Sequence, residues 1–324
     1  MSESPLISIV SPVYACSHCL EALVDAVREA FVDSGLDWEL VCVDDRGPDQ
    51  PWTLIRELAA RDARVRGVRL SRNHGQQLAI WAGFEVARGD WVAVMDCDLQ
   101  DDPAVIPALY RAAVERQVDA MIVERGSWSD SLLRRTASKL FYWSLNQLAG
   151  VHLRNIGNFG LYSRRMVNTL LQFGEQEVFL PLMVTLTGLS TSEMRLDRSD
   201  RLAGRSSYSL SHLIRLATTI IIRFSDRPLK LSIVIGLLLS AMAAIISVIL
   251  LSGWLAGAFT VPGWTSSMLS IWFFSGIILA VLGVHGFYIG RVFAEVKQRP
   301  RIVVEEVLGE SVEPHLPYSG SASR

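Results

Sequence analysis

Asp96 and Asp98 stand one residue apart, directly behind the apolar run Trp91-Val92-Ala93-Val94-Met95. A Val-rich strand that ends in carboxylates and turns into Leu99-Gln100-Asp101-Asp102-Pro103 presents them at the carboxyl edge of a sheet. Open α/β folds bind their ligands there. Oxygen ligands at this spacing suit Mg2+ or Mn2+, which keep several waters and bridge to diphosphate oxygens. Asp-x-Asp is also a common turn sequence, so the spacing alone leaves an ordinary reading open. Two further strand ends carry comparable chemistry, Pro12-Val13-Tyr14 and Asp44-Asp45-Arg46-Gly47. Carboxylates after a second strand can accept hydrogen bonds from a ribose or base, and an aromatic ring can pack on the base. Asp and Gly are equally ordinary turn formers, but three such ends at one edge describe a nucleotide-diphosphate pocket.

Strands must end side by side to bring these residues together. Short β-rich runs at Ile7 to Val13, Glu39 to Asp45, Val65 to Ser71, Trp91 to Asp96 and Val118 to Val123 alternate with amphipathic stretches. The helical stretches are Leu20 to Val32, Trp52 to Ala60 and Gln76 to Ala87. This is the pattern of an α/β fold with a Rossmann-like, mostly parallel sheet covered on both faces. Phe159 to Tyr162 and Ser192 to Leu196 are weaker strand candidates. Asp102 before Pro103 predicts an N-cap and a helix start.

From Leu231 to Gly290 there is no Asp, Glu, Lys or Arg. Leu231 to Leu251 and Met268 to Tyr288 each have the length needed to cross a hydrocarbon core, which predicts a two-helix transmembrane hairpin. Arg223, Arg227 and Lys230 precede the first span, and Arg291, Lys297, Arg299 and Arg301 follow the second. Positive charge on those flanks places both termini and the large domain in the cytoplasm, on a multi-pass protein of the cytoplasmic (inner) membrane. Leu210 to Phe224 reads as an interfacial amphipathic helix. Gly236, Gly276, Gly283, Gly286 and Gly290 offer small faces for helix packing, including packing in a homo-oligomer.

The expected organisation is therefore a catalytic domain over 1–208, the interfacial helix and linker over 209–228, two spans within 229–290, and a partly disordered tail over 291–324. The first apolar run is short and begins a strand, so no signal peptide is expected. A formal net charge of -2 argues against a nucleic-acid surface. Four cysteines in a cytoplasmic chain do not suggest a disulfide framework. Cys16-Ser17-His18-Cys19 has the spacing of a metal or redox pair, without a second ligand pair to match it.

The segments VSPVY (10–14), VDD (43–45), LSRNHGQQLAIWAGFEVARGDWVAVMDCDLQDDP (70–103), NIGNFGLYSRR (155–165), RLAGRSSYS (201–209) and FSDRPLKL (224–231) carry a resemblance. The chain resembles family-2 glycosyltransferases of the A-type fold, in the polyprenyl-phosphate branch that includes dolichol-phosphate mannose synthase and bacterial undecaprenyl-phosphate glucosyltransferases. That resemblance implies a nucleotide-sugar donor held through Mg2+ or Mn2+ on Asp96 and Asp98, and inverting transfer to a polyisoprenyl phosphate. It places Pro12, Val13, Tyr14, Asp44, Asp45, Arg72, Asn73 and Gln77 around the donor. Arg125, Arg134, Arg201, Arg205 and Ser206 fall toward the acceptor phosphate, although arginines of this kind also serve as plain lipid anchors.

The departures are specific. Ala15-Cys16 stands where relatives commonly have Asn-Glu, Asn158 where many bacterial relatives place an Asp general base, and Ser207 where a Lys is frequent. A phosphate monoester with a second pKa near about 6 is mostly a dianion at neutral pH, so its oxygen needs positioning more than deprotonation. A transferase acting on a glycan, protein or other lipid, and a non-catalytic component of a lipid-sugar translocation complex, remain as alternatives.

Overall fold

The computed structural model describes residues 4–125, 156–176, 178–196, 227–256, 263–297 and 299–309. The chain divides into two compact units. One comprises Met1–Asp130, Leu153–Ala203 and Arg299–Arg324; the other comprises Ser131–His152 and Gly204–Gln298.

In chain order the first unit contains β1 (Leu6–Val13), α1 (Leu20–Phe31), β2 (Asp37–Asp44), α2 (Trp52–Arg61), β3 (Val65–Leu70), α3 (Gln76–Val86), β4 (Trp91–Val94), α4 (Ile106–Arg116), β5 (Ala120–Arg125) and β6 (Ile156–Ser163). There follow α5 (Arg164–Leu171), α6 (Leu180–Leu186), β7 (Thr191–Leu196) and, at the far end of the chain, β8 (Val304–Leu308). The sheet order is β7-β5-β6-β4-β1-β2-β3-β8.

Period-2 alternation sorts the two faces. Ile7, Ile9 and Val13 of β1 with Leu40 and Cys42 of β2 pack against Leu20, Leu23, Val27, Ile55 and Leu109 from α1, α2 and α4. Val10, Val41 and Val43 point to the other face, against α3, α5 and α6 through Ile80, Phe84, Met166 and Met183. Helix α3 is buried on nearly every side because it lies on the sheet beside α5, with Ile302 of the returning segment in the same core. Gly83 permits that approach: a Cβ there would come 2.2 Å from Val10 Cγ1. The expected start of α4 is present, with Asp102 Oδ1 accepting from Ala104 N at 2.9 Å ahead of a short 3-10 turn at Pro103–Val105.

Two features differ from the sequence expectation. The sheet is mixed: β1, β2, β3 and β4 pair in parallel, but β6 inserts antiparallel between β4 and β5. The expected tail also returns to the sheet, where β8 pairs antiparallel with β3. Trp52 Nε1 and Arg56 donate to Glu306 at 2.9 Å, Ser71 N donates to Val303 O at 2.9 Å, and Ile302 is buried in the α3-side core. Residues before and after β3 thus fasten the returning segment.

The second unit contains α7 (Arg227–Leu255) and α8 (Trp264–Val296). Leu237, Leu238, Ile245 and Val248 of α7 and Trp272, Leu279 and Ile289 of α8 are exposed. Ser270–Val296 is long and apolar enough to cross a membrane. The predicted interfacial helix at 210–224 lies outside the described residues.

Candidate functional site

Strands β4, β1 and β2 are parallel neighbours, so their carboxyl ends open at one edge. A cleft of about 440 Å3 lies there. Pro12, Tyr14 and Ala15 line it from β1 and its loop, Asp45 from the end of β2, and Asp96, Cys97 and Asp98 from the end of β4. Asn73, Gly75 and Gln76 complete it from the turn into α3, and Cys16 and His18 from the turn into α1.

The turn into α3 is built by Asp45. Its Oδ1 accepts from His74 N at 2.6 Å and its Oδ2 from Gly75 N at 2.8 Å, so donors at the helix entrance are satisfied by a carboxylate from the neighbouring strand. Gly75 has φ 88°, a conformation glycine adopts without steric cost. Asp44 lies behind, 2% exposed; its Oδ1 accepts from Gly47 N at 3.3 Å and its Oδ2 is 3.6 Å from Arg69 Nε. Burial pushes both carboxyls above the usual carboxylate range, and the backbone N–H groups oppose it. Burial, with the Arg72 charge nearby, holds the His74 imidazole below its ordinary value.

The carboxylate pair is held by glutamines. Gln76 Nε2 donates to Asp96 Oδ1 at 2.6 Å. Gln100 donates to both oxygens of Asp98, from its N at 3.2 Å and from Nε2 at 2.7 Å. An ionised carboxylate has about four acceptor positions, so each keeps capacity for another ligand. Among the described residues no group of three or more His, Cys, Asp or Glu could hold a metal by itself. Two hard oxygen donors facing one cleft fit a Mg2+ or Mn2+ ion that retains waters and takes its remaining ligands from a diphosphate.

Gln77 does different work. Its Nε2 donates to Asn158 Oδ1 at 2.9 Å and its Oε1 accepts from Leu180 N at 2.8 Å, tying α3 to β6 and α6. Gly160 pairs with Val94 in the antiparallel β4–β6 ladder, which places Asn158 and Asp96 two residues on at the same sheet end. A neutral carboxamide there cannot take up a proton as a carboxylate would.

Of the residues predicted for the site, Pro12, Tyr14, Asp45, Asn73, Asp96 and Asp98 meet in the cleft. Val13 does not: strand alternation turns it into the core, fully buried. Asp44 supports the loop from behind, Arg72 is exposed outside the lining, and Gln77 braces α3. Arg125 is the last residue of β5, opposite Leu196. Arg134, Arg201, Arg205 and Ser206 lie outside the described residues. Gly75, Gln76 and His18 were not assigned to the site, Cys97 stood only as the middle of the acidic triplet and Ala15-Cys16 only as a departure from the family pattern; Gly75-Gln76 at a predicted helix start was the readable signal.

The cysteines need a correction. Against the expectation of no disulfide framework, Cys16 is disulfide-bonded to Cys97, because adjacent β1 and β4 bring their following loops to a Cα–Cα distance of 6.6 Å. Cys19 and Cys42 are free thiols, and burial pushes Cys42 up to about 12.

Residues 8–171 match the family model for glycosyl transferase family 2. The chain belongs to this family. It is 33% identical over 317 residues to undecaprenyl-phosphate 4-deoxy-4-formamido-L-arabinose transferase of Aeromonas hydrophila, covering 97% of each chain. The enzyme of the same name from Yersinia pestis is 32% identical over 94% of each chain. The uncharacterized glycosyltransferase YkcC of Bacillus subtilis is 31% identical over 95% of this chain and 96% of that one. Among solved structures the chain is similar to glucosyl-3-phosphoglycerate synthase from Mycobacterium tuberculosis with Mn2+, UDP and glucosyl-3-phosphoglycerate. There the identity is 18%, the coverage 68% of this chain and 80% of that one, and the TM-score 0.48. The family-2 segment contains every residue lining the cleft; β8 lies beyond it.

Proposed function

We propose that this glycosyltransferase passes a sugar, with inversion, from a nucleotide-diphosphate sugar to an undecaprenyl-type polyisoprenyl phosphate at the cytoplasmic face of the inner membrane. A likeness spanning 97% of each chain to a transferase named for undecaprenyl phosphate supports this most directly. Helices α7 and α8, most of whose length falls in the charge-free stretch from Leu231 to Gly290, would form a membrane hairpin that gives the protein access to a lipid acceptor.

Each cleft residue then has a task. Asp96 and Asp98 would hold a Mg2+ or Mn2+ ion, which when bound offsets the charge of the departing nucleoside diphosphate. Gln76 fixes the rotamer of Asp96, and Asp45 fixes the loop that carries Asn73 and Gln76. Tyr14, 52% exposed, offers its ring to the base. Asn158 leaves the acceptor phosphate as its own nucleophile, a dianion at neutral pH given a second pKa near about 6. Arg125, Arg134, Arg201, Arg205 and Ser206 are proposed to receive that phosphate.

Membranes carrying the protein are expected to convert one member of a nucleotide-sugar panel plus undecaprenyl phosphate into a glycosyl-phosphoryl lipid, identified by mass. Transfer to water-soluble glycans alone would overturn the lipid assignment, and absence of transfer or donor hydrolysis with every nucleotide sugar would overturn the enzymatic one.

The returning strand bears on the same pocket. Glu305 of β8 pairs with Arg46 and stands 3.7 Å from Arg69, whose Nε faces Asp44; Arg46 Nε also donates to Leu70 O at 2.9 Å. Glu305→Gln is expected to raise the donor KM about fivefold, in keeping with a half-exposed ion pair, while kcat changes little. An unchanged KM would separate β8 from the donor pocket.

A further inference from the structure

We propose that the Cys16–Cys97 disulfide is a redox-dependent positioning element that holds Asp96 and Asp98 in their binding arrangement; this rests on the donor-site reading above. The bond joins two of the loops that line the cleft, and it does so at the middle residue of the Asp96-Cys97-Asp98 triplet. Both cysteines are almost fully buried and belong to the core beneath the cleft, whereas Asp98 is exposed toward it. Cys97 therefore anchors from below the backbone that carries the two carboxylates.

Each bridged loop also holds a residue in the left-handed region: Ala15, next to Cys16, at φ 55° and Leu99, two residues past Cys97, at φ 57°. Non-glycine residues keep such conformations where their surroundings over-determine them. A covalent link between the loops supplies that constraint, and its loss lets both relax.

Disulfides in a reducing cytoplasm are characteristically transient and regulatory. The reductant is a cellular dithiol. One of its thiolates attacks a bridge sulfur from the cleft that Cys16 and Cys97 line, the Sγ–Sγ bond breaks, and the reductant closes into its own disulfide. Two electrons and two protons pass to Cys16 and Cys97, which become thiols. The oxidised form binds the cation and nucleotide more tightly, and by reciprocity a filled cleft protects the bond from reduction.

The full chain in detergent, treated with oxidised or reduced dithiothreitol, supplies two readouts. Thiol counting after denaturation is expected to find Cys19 and Cys42 alone in the oxidised protein and all four cysteines after reduction. Mn2+ affinity, read by electron paramagnetic resonance with UDP, GDP, CDP or TDP present, is expected to fall about tenfold on reduction. Cys16→Ser and Cys97→Ser should match the reduced protein and ignore the reductant; Cys19→Ser should respond as the wild type does. Four thiols in the oxidised protein overturn the bond. Equal Mn2+ affinity in wild-type protein of both redox states overturns the positioning role while leaving the donor site standing. No nucleotide-dependent Mn2+ binding in either state, with Asp98→Ala indistinguishable from wild type, overturns the donor-site reading and the proposal with it.

Discussion

Asp98→Ala is expected to lower sugar transfer about a thousandfold while leaving the melting temperature of the protein unchanged. The first half follows from what a divalent ion supplies to a departing diphosphate, several kcal/mol of charge stabilisation, with each factor of ten worth about 1.4 kcal/mol. The second half follows from where Asp98 sits: it is exposed, and its hydrogen bonds go to Gln100, two residues away. Among the described residues nothing distant in the chain hydrogen-bonds to it. Asp96→Asn should be milder in structure and nearly as costly in rate, since an amide oxygen can still accept from Gln76 but carries no charge to the cation. Its signature is a raised Mn2+ requirement in the transfer assay, with the Asp98→Ala rate hardly restored by added metal. Transfer by Asp98→Ala at the wild-type rate would remove the cation from this pair.

The route from sequence to site was direct where one strand fixes its own residues. Trp91-Val92-Ala93-Val94 is buried on both sides, so it reads as a central strand and its carboxyl end points to the ligand edge. The same logic misplaced Val13, because naming a strand end does not say which of two consecutive side chains faces the cleft. It placed Asp45 in the cleft but did not show what Asp44 and Asp45 hold in place. Their partners are backbone N–H groups of Gly47, His74 and Gly75 and the guanidinium of Arg69, and the Asp45 bonds span about thirty positions of chain. No local pattern records such a pairing.

Distance along the chain explains the other omissions. Cys16 and Cys97 are 81 positions apart and become neighbours only once β4 lies beside β1. Strand β8 is five residues with two adjacent glutamates, a poor strand by propensity. Arg46, Arg56, Arg69 and Trp52 make it one by receiving those glutamates at the sheet edge. The antiparallel β6 was legible as a strand but not in direction, since direction is set by pairing with two neighbours at once.

The largest loss of stability is expected from a residue at the opposite end of the sheet. Glu39, 6% exposed, accepts from Ser8 Oγ at 2.5 Å, from Arg88 N at 2.7 Å and from Arg66 Nη1 at 3.2 Å. Ser8 Oγ in turn accepts from Gly89 N at 2.7 Å. The group ties β1, β2 and β3 to the turn between α3 and β4, the two elements whose other ends carry Gln76 and Asp96. Arg66 is 2% exposed, and among the described residues its Nε and Nη2 have no hydrogen-bond partner. Glu39 and Val86 O, which accepts at 2.8 Å, are thus its principal support. Glu39→Ala strands a buried guanidinium and should cost about 3 to 5 kcal/mol. At roughly 2 to 4 °C per kcal/mol for a domain of this size, the melting temperature falls by about 10 °C. Glu39→Leu combined with Arg66→Met removes both charges and should recover most of the loss, because the penalty lies in the unpaired ion and not in the missing pair. A double variant as unstable as Glu39→Ala would mean that Ser8, Arg88 and Gly89 need the carboxylate itself. The α3–β4 turn would then depend on it, and the donor KM should rise along with the instability.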